Sequence, residues 1–242
     1  QLAHRLGIKD AAFFQGTIGG NTPQYLVNHF ASQLAGGEHG VVLLAGAELL
    51  ATLFKALRSG ENISAWAGEP QLEPATIGQE RDGHTAVELA HGLYEPINTY
   101  PLVENSLRHH LGISQAQHMA HIAEICSRMS RVAAGNPYAW RPQFQSAQEI
   151  STVAQSNRYI GYPYTRAMNP ILEVDMAAAV VMTTAGKARE LGIDPSLWIY
   201  LRGGADVNDI WFVSERPELY RSPAINAAWR TVSAQAGITL DD

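Results

Sequence analysis

Cysteine is nearly absent from this 242-residue chain, in which Cys126 is the one thiol. A single thiol cannot build an internal disulfide framework, so the sequence favours a reducing compartment, and we expect a cytoplasmic protein. The sequence also lacks the roughly 18–20 consecutive apolar residues that a membrane-crossing helix needs. No signal peptide is visible, because Arg5, Lys9 and Asp10 interrupt the first residues. These absences exclude a disulfide-stapled secreted domain and predict no membrane partner.

Basic residues are outnumbered, with 17 Lys and Arg against 23 Asp and Glu, and they form no run. A formal charge of −6 without a basic patch gives no electrostatic attraction for nucleic acid, so no nucleic-acid partner is expected. Hydrophobic residues make up 46% and charged residues 17%, as in a globular protein with a real core.

The common catalytic and metal-binding motifs are missing: there is no G-x-S-x-G, P-loop, G-x-G-x-x-G or H-E-x-x-H. His118 and His121 lie one helical turn apart with Glu124 following, a spacing that could hold a metal. Without a further ligand set, a polar helix edge is the favoured interpretation, and no metal is predicted. Cys126 lies mid-helix among apolar residues, which would raise the pKa of its thiol and make it a core residue rather than a nucleophile.

The first part of the chain alternates strands and helices. Residues 11–18 predict a strand, and a helix follows with Thr22 as N-cap, Pro23 at its first position and Gly36-Gly37 at its end. A strand from Val41 to Ala45, apolar on both faces, and a helix from Leu49 to Leu57 come next. This alternation predicts βαβ units and a largely parallel sheet.

The middle of the chain is richer in proline and reads as helical, with helices expected at about 83–93, 101–111 and 114–134. The last has Ser114 as N-cap and an apolar stripe of Met119, Ile122, Ile125, Met129 and Val132. Strand and helix patterns return after residue 165: a buried strand from Val174 to Thr184, a helix from Ala185 to Leu191, a strand from Trp198 to Leu201, and a helix from Ser222 to Ala236. We therefore divide the chain into residues 1–60, 61–165 and 166–242.

The turn from Gly19 to Pro23 joins the first strand to its helix. Such a turn aims backbone N–H groups and the positive end of the helix dipole at one point, where a thiol enzyme places its nucleophile. Gly20 and Asn21 occupy that place here. A tight turn that needs glycine for close backbone approach explains the same residues without any chemistry.

Several segments together resemble the thiolase superfamily, in the same order along the chain. They are Thr17–Asn28, Val42–Glu48, Tyr100–Asn105, Leu111–Ser114, Met168-Asn169, Val174–Ala179, Lys187–Gly192 and Ala236–Asp242. The match is nearest to bacterial thiolase-like proteins described as acetyl-CoA acetyltransferases, in which Gly-Gly-Asn-Thr-Pro replaces the cysteine segment. Each motif is weak alone, and their ordered set covers essentially the whole chain.

The resemblance implies an α/β fold of two similar βαβαβαββ halves, with a mainly helical loop domain inserted in the first. Residues 1–60 would be part of the first half, 61–165 the loop domain, and 166–242 the return to the sheet and the linker helix into a C-terminal half. The chain begins with Gln1 and stops after a helix that normally leads into another strand, so we expect a longer protein. Alone, the chain would expose faces meant for the second half and dissolve poorly.

The resemblance transfers no catalytic residue. Gly20 occupies the position of the thiolase nucleophile and has no side chain to acylate, and no segment matches the family's second cysteine or its histidine motif. For coenzyme A, position in the family points to Asn98, Thr99 and Asn169 as groove residues. Tyr164 and Arg166 could meet pantetheine or phosphate, and the alternative, which the residue types favour, is a packed aromatic and a surface charge.

The resemblance implies an acyl-CoA-handling protein of lipid metabolism, acetyl-CoA acetyltransferase-like but without a cysteine nucleophile. Coenzyme A or acyl-CoA would be substrate, with no covalently bound cofactor, and this chain alone would be inactive. The alternative is a non-catalytic acyl-CoA-binding or structural subunit of a larger complex. Either protein is expected to form homo- or hetero-oligomers.

Overall fold

The computed structural model describes residues 2–66 and 73–241 and mixes helices with short strands, which confirms the α/β class. The elements in chain order are α1 Leu2–Arg5, β1 Phe14–Gly16, α2 Thr22–Ala35, β2 Val41–Leu49, α3 Leu50–Ser59, β3 Ala75–Ile77, α4 Ala86–Ala90, α5 Pro96–Leu111, α6 Gln115–Ala134, α7 Ala147–Ser151, β4 Tyr159–Gly161, β5 Tyr164–Thr165, β6 Asp175–Thr183, α8 Ala185–Glu190 and α9 Pro223–Ala236.

Two compact units divide the chain. The first unit comprises Gln1–Arg81, Leu172–Val207 and Ala227–Asp242, and the second comprises Asp82–Ile171 and Asn208–Asn226. The second unit is thus mainly one continuous segment, with helices α4 to α7 and the β4–β5 hairpin, and a later segment of the chain returns to it.

The longest strand pairing is β2 with β6 in the first unit. Its register runs from Val41 opposite Thr183 to Leu49 opposite Asp175, and the pairing is antiparallel. The expected largely parallel sheet is therefore wrong for these strands, because the parallel rule applies to consecutive strands joined by one crossover. Here the larger segment of the second unit, Asp82–Ile171, lies between β2 and β6 in the chain. Parallel pairing is found between β1 and β3, over three residues.

The core of the first unit lies between α2 and one face of the strands. Phe30 and Leu34 of α2 pack with Val42 and Ile77, and Met182 packs against this cluster. The expectations that β2 is covered on both faces and that β6 is a buried strand are wrong. Leu43 and Val181 pair on the opposite face and both are exposed in the residues described. Successive side chains of a strand point to opposite faces, and α2 covers one of them.

Helix α2 agrees with prediction in extent and differs at its start. It begins at Thr22 and Gly36 caps its end, followed by Gly37 at φ +78°, a backbone conformation that favours glycine. Asn21, not Thr22, is the N-cap residue, and Pro23 is the second helical residue. The Thr22 hydroxyl instead donates to the Thr17 carbonyl oxygen at 2.8 Å, which ties the helix to the segment after β1.

The helices of the second unit agree with prediction best at α6. Its N-cap is Ser114, which forms a capping box with Gln117. The predicted buried stripe is wrong in part: Ile122 is buried, whereas Ile125, Met129 and Val132 are exposed. The buried face carries His118, Ala123 and Ser127 instead, because α7 packs on that side and the Ser127 hydroxyl donates to the Gln145 carbonyl oxygen at 2.8 Å.

Three other predicted elements need correction. The helix expected at 83–93 is the single turn Ala86–Ala90, and the helix expected from 101 begins at Pro96 and contains Pro101. The strand expected from Trp198 to Leu201 is irregular chain, because no described strand lies beside it to complete a ladder. Helix α9 begins as expected after Ser222, whose hydroxyl accepts from the Ile225 N–H at 3.2 Å.

Gly161 of β4 allows close packing of this strand on α5. A Cβ atom at this position would lie 2.5 Å from the Ile97 carbonyl oxygen and 3.1 Å from Pro101 Cγ. Because the nearest atom belongs to the backbone, we expect Gly161→Ala to lower the free energy of unfolding by about 1–3 kcal/mol. Gly186→Ala is the control, since its Cβ would have no neighbour closer than 3.9 Å. Equal urea midpoints for the two variants would contradict this packing.

Glu88 connects α4 to the later segment of the second unit. It is 2% exposed and accepts from the N–H groups of Ser214 and Thr85, each at 2.7 Å. These hydrogen bonds, that from Ser214 foremost, lower the pKa of Glu88 below its ordinary 4.5. The stability they provide is present above pH 4.5 and is lost as pH falls through the lowered folded-state pKa.

We therefore expect Glu88→Gln to melt at a lower temperature than the parent protein at pH 7, and the gap to narrow as pH falls below 4.5. Thermal melts followed by circular dichroism at closely spaced pH values measure this. Glu124→Gln, in an exposed pair with Arg128, is the control for loss of one negative charge. If the difference in melting temperature between the parent protein and Glu88→Gln stayed constant from pH 7 to pH 3, the effect of Glu88 would come from packing alone.

Candidate functional site

Gly20 lies in the turn between β1 and α2. The sequence analysis places this glycine at the position where a thiolase has its nucleophile. Gly20 is exposed and its φ is not in the positive range, and a Cβ atom there would meet no described residue within 4 Å. Glycine is therefore not required at this position by backbone conformation or by crowding. The close approach that needs a glycine is at Gly16, where a Cβ would lie 2.7 Å from Thr22 Cγ2.

The first N–H groups of α2 are largely used inside this turn. The Thr22 N–H donates to the Gly19 carbonyl oxygen at 3.1 Å, Pro23 has no N–H, and the Tyr25 N–H donates to the Asn21 carbonyl oxygen at 3.0 Å. The helix terminus therefore offers a ligand fewer free donors than the strand–turn–helix pattern implies. The positive end of the helix dipole remains.

Three of the predicted coenzyme A residues make local hydrogen bonds to the backbone. Asn98 and Thr99, in the first turn of α5, donate to the carbonyl oxygens of Gly92 and Glu95, each at 2.8 Å. The Asn169 amide donates to the Thr165 carbonyl oxygen at 2.8 Å. These side chains shape the chain locally and leave their acceptor oxygens for other contacts.

Tyr164 and Arg166, two residues apart, have different surroundings. The Tyr164 hydroxyl donates to the Glu104 carboxylate, whereas the exposed Arg166 side chain lines a cavity of about 420 Å³. Burial, followed by the hydrogen bond and the charge of Glu104, raises the pKa of Tyr164 well above its usual value. Tyr164 therefore stays protonated at neutral pH. Among the described residues, no hydrogen bond joins any two of the five predicted side chains.

A cluster of polar side chains around Glu104 escaped the sequence analysis. Glu104 of α5 accepts from Tyr164 and from the His118 Nε2–H of α6, at 2.6 Å for the latter. His118 is 2% exposed, and its Nδ1 has no hydrogen-bond partner among the residues that the structure describes. The sequence did hold a signal, because His118 lies four residues before the apolar Ile122 on one helix face. The cluster joins α5, α6 and β5.

Cys126 and the two histidines His118 and His121 of α6 have different surroundings. Cys126 is half-buried, and burial, followed by the charge of Glu104, raises the pKa of its thiol, as the sequence predicts. His118 is engaged with Glu104, while His121 is exposed and Glu124 pairs with Arg128. Within the described ranges, no group of three or more His, Cys, Asp or Glu side chains is placed to hold a metal ion.

In the same ranges, no helix combines the length and the apolar character needed to cross a bilayer.

Comparison with known proteins finds similarity over nearly the whole chain. A monomeric SCP2-thiolase-like protein type 1 from Mycobacterium smegmatis has a solved structure that matches 93% of this chain and 42% of its own, at 34% identity and a TM-score of 0.73. The 17-hydroxy-3-oxo-4-pregnene-20-carboxyl-CoA lyase of Mycobacterium tuberculosis is 27% identical over an alignment of 245 positions that covers 100% of this chain. The Ltp2–ChsH2(DUF35) aldolase structure is 18% identical over 100% of this chain and 56% of its own, with a TM-score of 0.63, and shows a shared fold. No protein-family model matches.

These similarities confirm an α/β thiolase-like fold. They support membership of the thiolase-like superfamily and give no support to an acetyl-CoA acetyltransferase within it. The chain spans 58% of the length of the curated relative that it matches and 42% of the Mycobacterium smegmatis structure.

Proposed function

We propose that this chain is part of a thiolase-like protein that handles acyl-CoA thioesters and cleaves or forms a carbon–carbon bond without a cysteine acyl-enzyme. The observation that carries the proposal is Gly20, a residue without a side chain in the turn where the superfamily places its nucleophile. The curated relative, named as a carboxyl-CoA lyase, supports this class of reaction.

The chemistry of such a cleavage does not need a thiol. In a retro-aldol reaction of a β-hydroxyacyl-CoA, a base takes the hydroxyl proton, the Cα–Cβ bond breaks, and the β-carbon becomes a carbonyl. The electrons of the broken bond form an enolate on the thioester, which then takes a proton at the α-carbon. Acetyl transfer by a thiolase instead needs a nucleophile that carries the acyl group. An acetyl-CoA acetyltransferase-like activity is thus the second candidate reaction, and it rests on the resemblance alone.

A non-catalytic acyl-CoA-binding or structural subunit is the alternative function. It is favoured by the apolar face of β2 and β6, where Leu43 and Val181 are exposed among the described residues. One structural neighbour is a two-protein assembly with a DUF35 chain, which supports a homo- or hetero-oligomer as a proposal for this protein. We also propose coenzyme A contacts from Asn98, Thr99, Tyr164, Arg166 and Asn169, an inserted loop domain at residues 61–165, and a cytoplasmic location.

Two reactions run on the full-length protein separate these functions. Incubation with acetoacetyl-CoA and coenzyme A tests acetyl transfer, and incubation with a β-hydroxyacyl-CoA tests cleavage, each followed by chromatography of the CoA products. We expect a shorter acyl-CoA and a free carbonyl product from the second reaction and no acetyl-CoA from the first. Acetyl-CoA formation would overturn the proposal. Binding of coenzyme A without turnover in either reaction would favour the non-catalytic subunit.

A further inference from the structure

A group of large apolar side chains is exposed at the end of α6 and in the segment that joins α6 to α7. In the joining segment Tyr138 is 89% exposed, Trp140 51% and Phe144 46%. Met129 and Val132, in the last two turns of α6, are exposed as well. Single exposed apolar residues need no explanation, whereas a group of them marks an interaction site. We call these five side chains the α6–α7 surface.

The joining segment folds back along α6, so its two ends lie next to each other. The Arg131 guanidinium carbon of α6 lies 4.3 Å from the centre of the Phe144 ring. The Gln145 N–H donates to the Ser130 hydroxyl at 3.0 Å. Tyr138 lies on the loop between these contacts. Residues that are well separated in the chain therefore belong to one surface of the second unit.

The loop that carries Tyr138 is held by its own backbone. The Asn136 side-chain oxygen accepts from the Tyr138 N–H at 2.9 Å, and the Asn136 carbonyl oxygen accepts from the Ala139 N–H at 3.1 Å. Pro137 and Pro142 each fix one backbone angle of the loop. The loop is therefore ordered before a partner arrives, which reduces the entropy cost of binding.

The charge around this surface has one sign. Residues 125–148 contain no Asp, Glu or Lys, although acids outnumber bases 23 to 17 in the whole chain. Their charged residues are three arginines: Arg128, Arg131 and Arg141. The acids at the two ends are engaged, since Glu124 pairs with Arg128 and the Glu149 carboxylate accepts from the Ser146 N–H at 2.7 Å. A positive surface on a negative chain attracts an acidic partner.

We propose that the α6–α7 surface is the docking site for a separate protein that presents Asp and Glu side chains around an apolar pocket. The cores of protein–protein interfaces are enriched in Tyr, Trp, Phe, Met and Arg and depleted in Lys, Glu and Asp, which is the composition found here. Tyr138, the most exposed of the aromatic side chains, is the anchor that enters the pocket. The proposal goes beyond the acyl-CoA function and holds whether or not the protein cleaves a thioester.

Two other occupants fit this surface less well. Basic clusters that bind anionic lipids contain about 4–8 Lys and Arg, more than the three arginines here, and the chain as a whole is negative. A second copy that paired through the same surface would bring its own arginines against these, because a two-fold interface joins identical patches. Like charges would then face each other, which weakens association.

Photo-crosslinking of the full-length protein in the cells that make it tests the site. The photoreactive amino acid p-benzoylphenylalanine replaces Tyr138 in the test protein. It replaces Tyr94, an exposed tyrosine of the same unit, in the control. We expect a crosslink to a separate protein from position 138 and not from position 94, through a partner peptide that contains Asp or Glu. The identified partner is then purified for titration calorimetry.

The variants measure what the surface contributes to binding of the purified partner. Tyr138→Ala is expected to weaken binding by about tenfold or more, as loss of a buried aromatic anchor does. Arg131→Glu is expected to weaken it through repulsion, and reversal of the crosslinked acid of the partner to lysine is expected to restore it. Arg58→Gln is the matched control, since Arg58 is an exposed arginine of the first unit, and it is expected to bind like the parent protein.

The other occupants of the surface give results that overturn the proposal. A crosslink from position 138 only to a second copy, only to another part of the same chain, or only to lipid excludes a separate protein partner. Crosslinking no stronger at position 138 than at position 94 does the same, and so does partner binding unchanged in both variants. The acyl-CoA reactions described above use the purified protein alone, so their failure would leave this result as it stands.

Discussion

Replacing Glu104 with alanine is expected to lower the free energy of unfolding by about 3 kcal/mol, the largest single-residue effect we predict on stability. The carboxylate accepts from His118 Nε2 at 2.6 Å and from the Tyr164 hydroxyl. Its removal leaves the Nε2–H of a histidine that is 2% exposed without an acceptor, and the half-buried tyrosine loses its partner as well. Urea denaturation followed by tryptophan fluorescence measures the change.

Glu104→Gln separates the two hydrogen bonds from the packing. An amide has one acceptor oxygen in place of two, so it can accept from one of the two donors. We therefore expect the free energy of unfolding of Glu104→Gln to lie between that of the parent protein and that of Glu104→Ala. Glu124→Ala is the matched control on the next helix, because the Glu124–Arg128 pair is exposed and such pairs contribute about 0.5 kcal/mol or less. Equal urea midpoints for Glu104→Ala and Glu124→Ala would show that the cluster does not stabilise the protein.

The helices that the sequence predicts best are those with local signals at both ends. Ser114 and Gln117 form a capping box within four residues, and the Gly36-Gly37 pair ends α2. Both signals act between neighbours in the chain and need no knowledge of the rest of the fold. Pro101 misled the prediction of α5 because a proline is read as a helix start, yet this helix continues through it from Pro96.

The strands were predicted less well because their partners lie far away in the chain. The β2–β6 ladder is antiparallel, and the residues of the two strands do not indicate whether they pair in parallel or antiparallel. Their burial was overestimated for a related reason: an apolar side chain at Leu43 or Val181 shows that a face can be covered, not that an element covers it. The irregular chain around Trp198 has strand-like composition without a partner strand.

The candidate site was found only partly from the sequence. The turn at Gly20 was located through the ordered resemblance, because single motifs within it are too short to be specific. Tyr164 and Arg166 were named by position, whereas Glu104, the neighbour of Tyr164, was not. Glu104 lies 60 positions from Tyr164 in the chain, and a contact of that kind follows from the packing of α5 against the β4–β5 hairpin. The spacing of residues in the sequence does not predict such a contact.

Gly20→Cys is expected to create a thiol that reacts with iodoacetamide at least about tenfold faster than Cys126 at pH 7.5. A Cβ at Gly20 meets no atom of the described part of the chain within 4 Å and the residue is exposed, so the cysteine fits without strain. Cys126 is half-buried and the pKa of its thiol is raised, which leaves less thiolate. Mass spectrometry of the alkylated peptides over time measures both thiols in one sample.

Ser32→Cys, at an exposed position of α2 itself, supplies the rate of an ordinary surface thiol. We expect the Gly20→Cys thiol to react within about threefold of it, because the Thr22 and Tyr25 N–H groups already have acceptors in the turn and only the helix dipole favours the thiolate. A much faster reaction at Gly20→Cys would mean that the turn still stabilises a thiolate as a thiolase turn does. Slow alkylation, equal to that of Cys126, would mean that the turn is covered. In this chain alone, which spans 58% of its curated relative, restoring the cysteine is not expected to restore acetyl transfer from acetoacetyl-CoA to coenzyme A. The reaction also needs a base to activate the thiol, and no residue within these 242 matches the family's histidine or second cysteine.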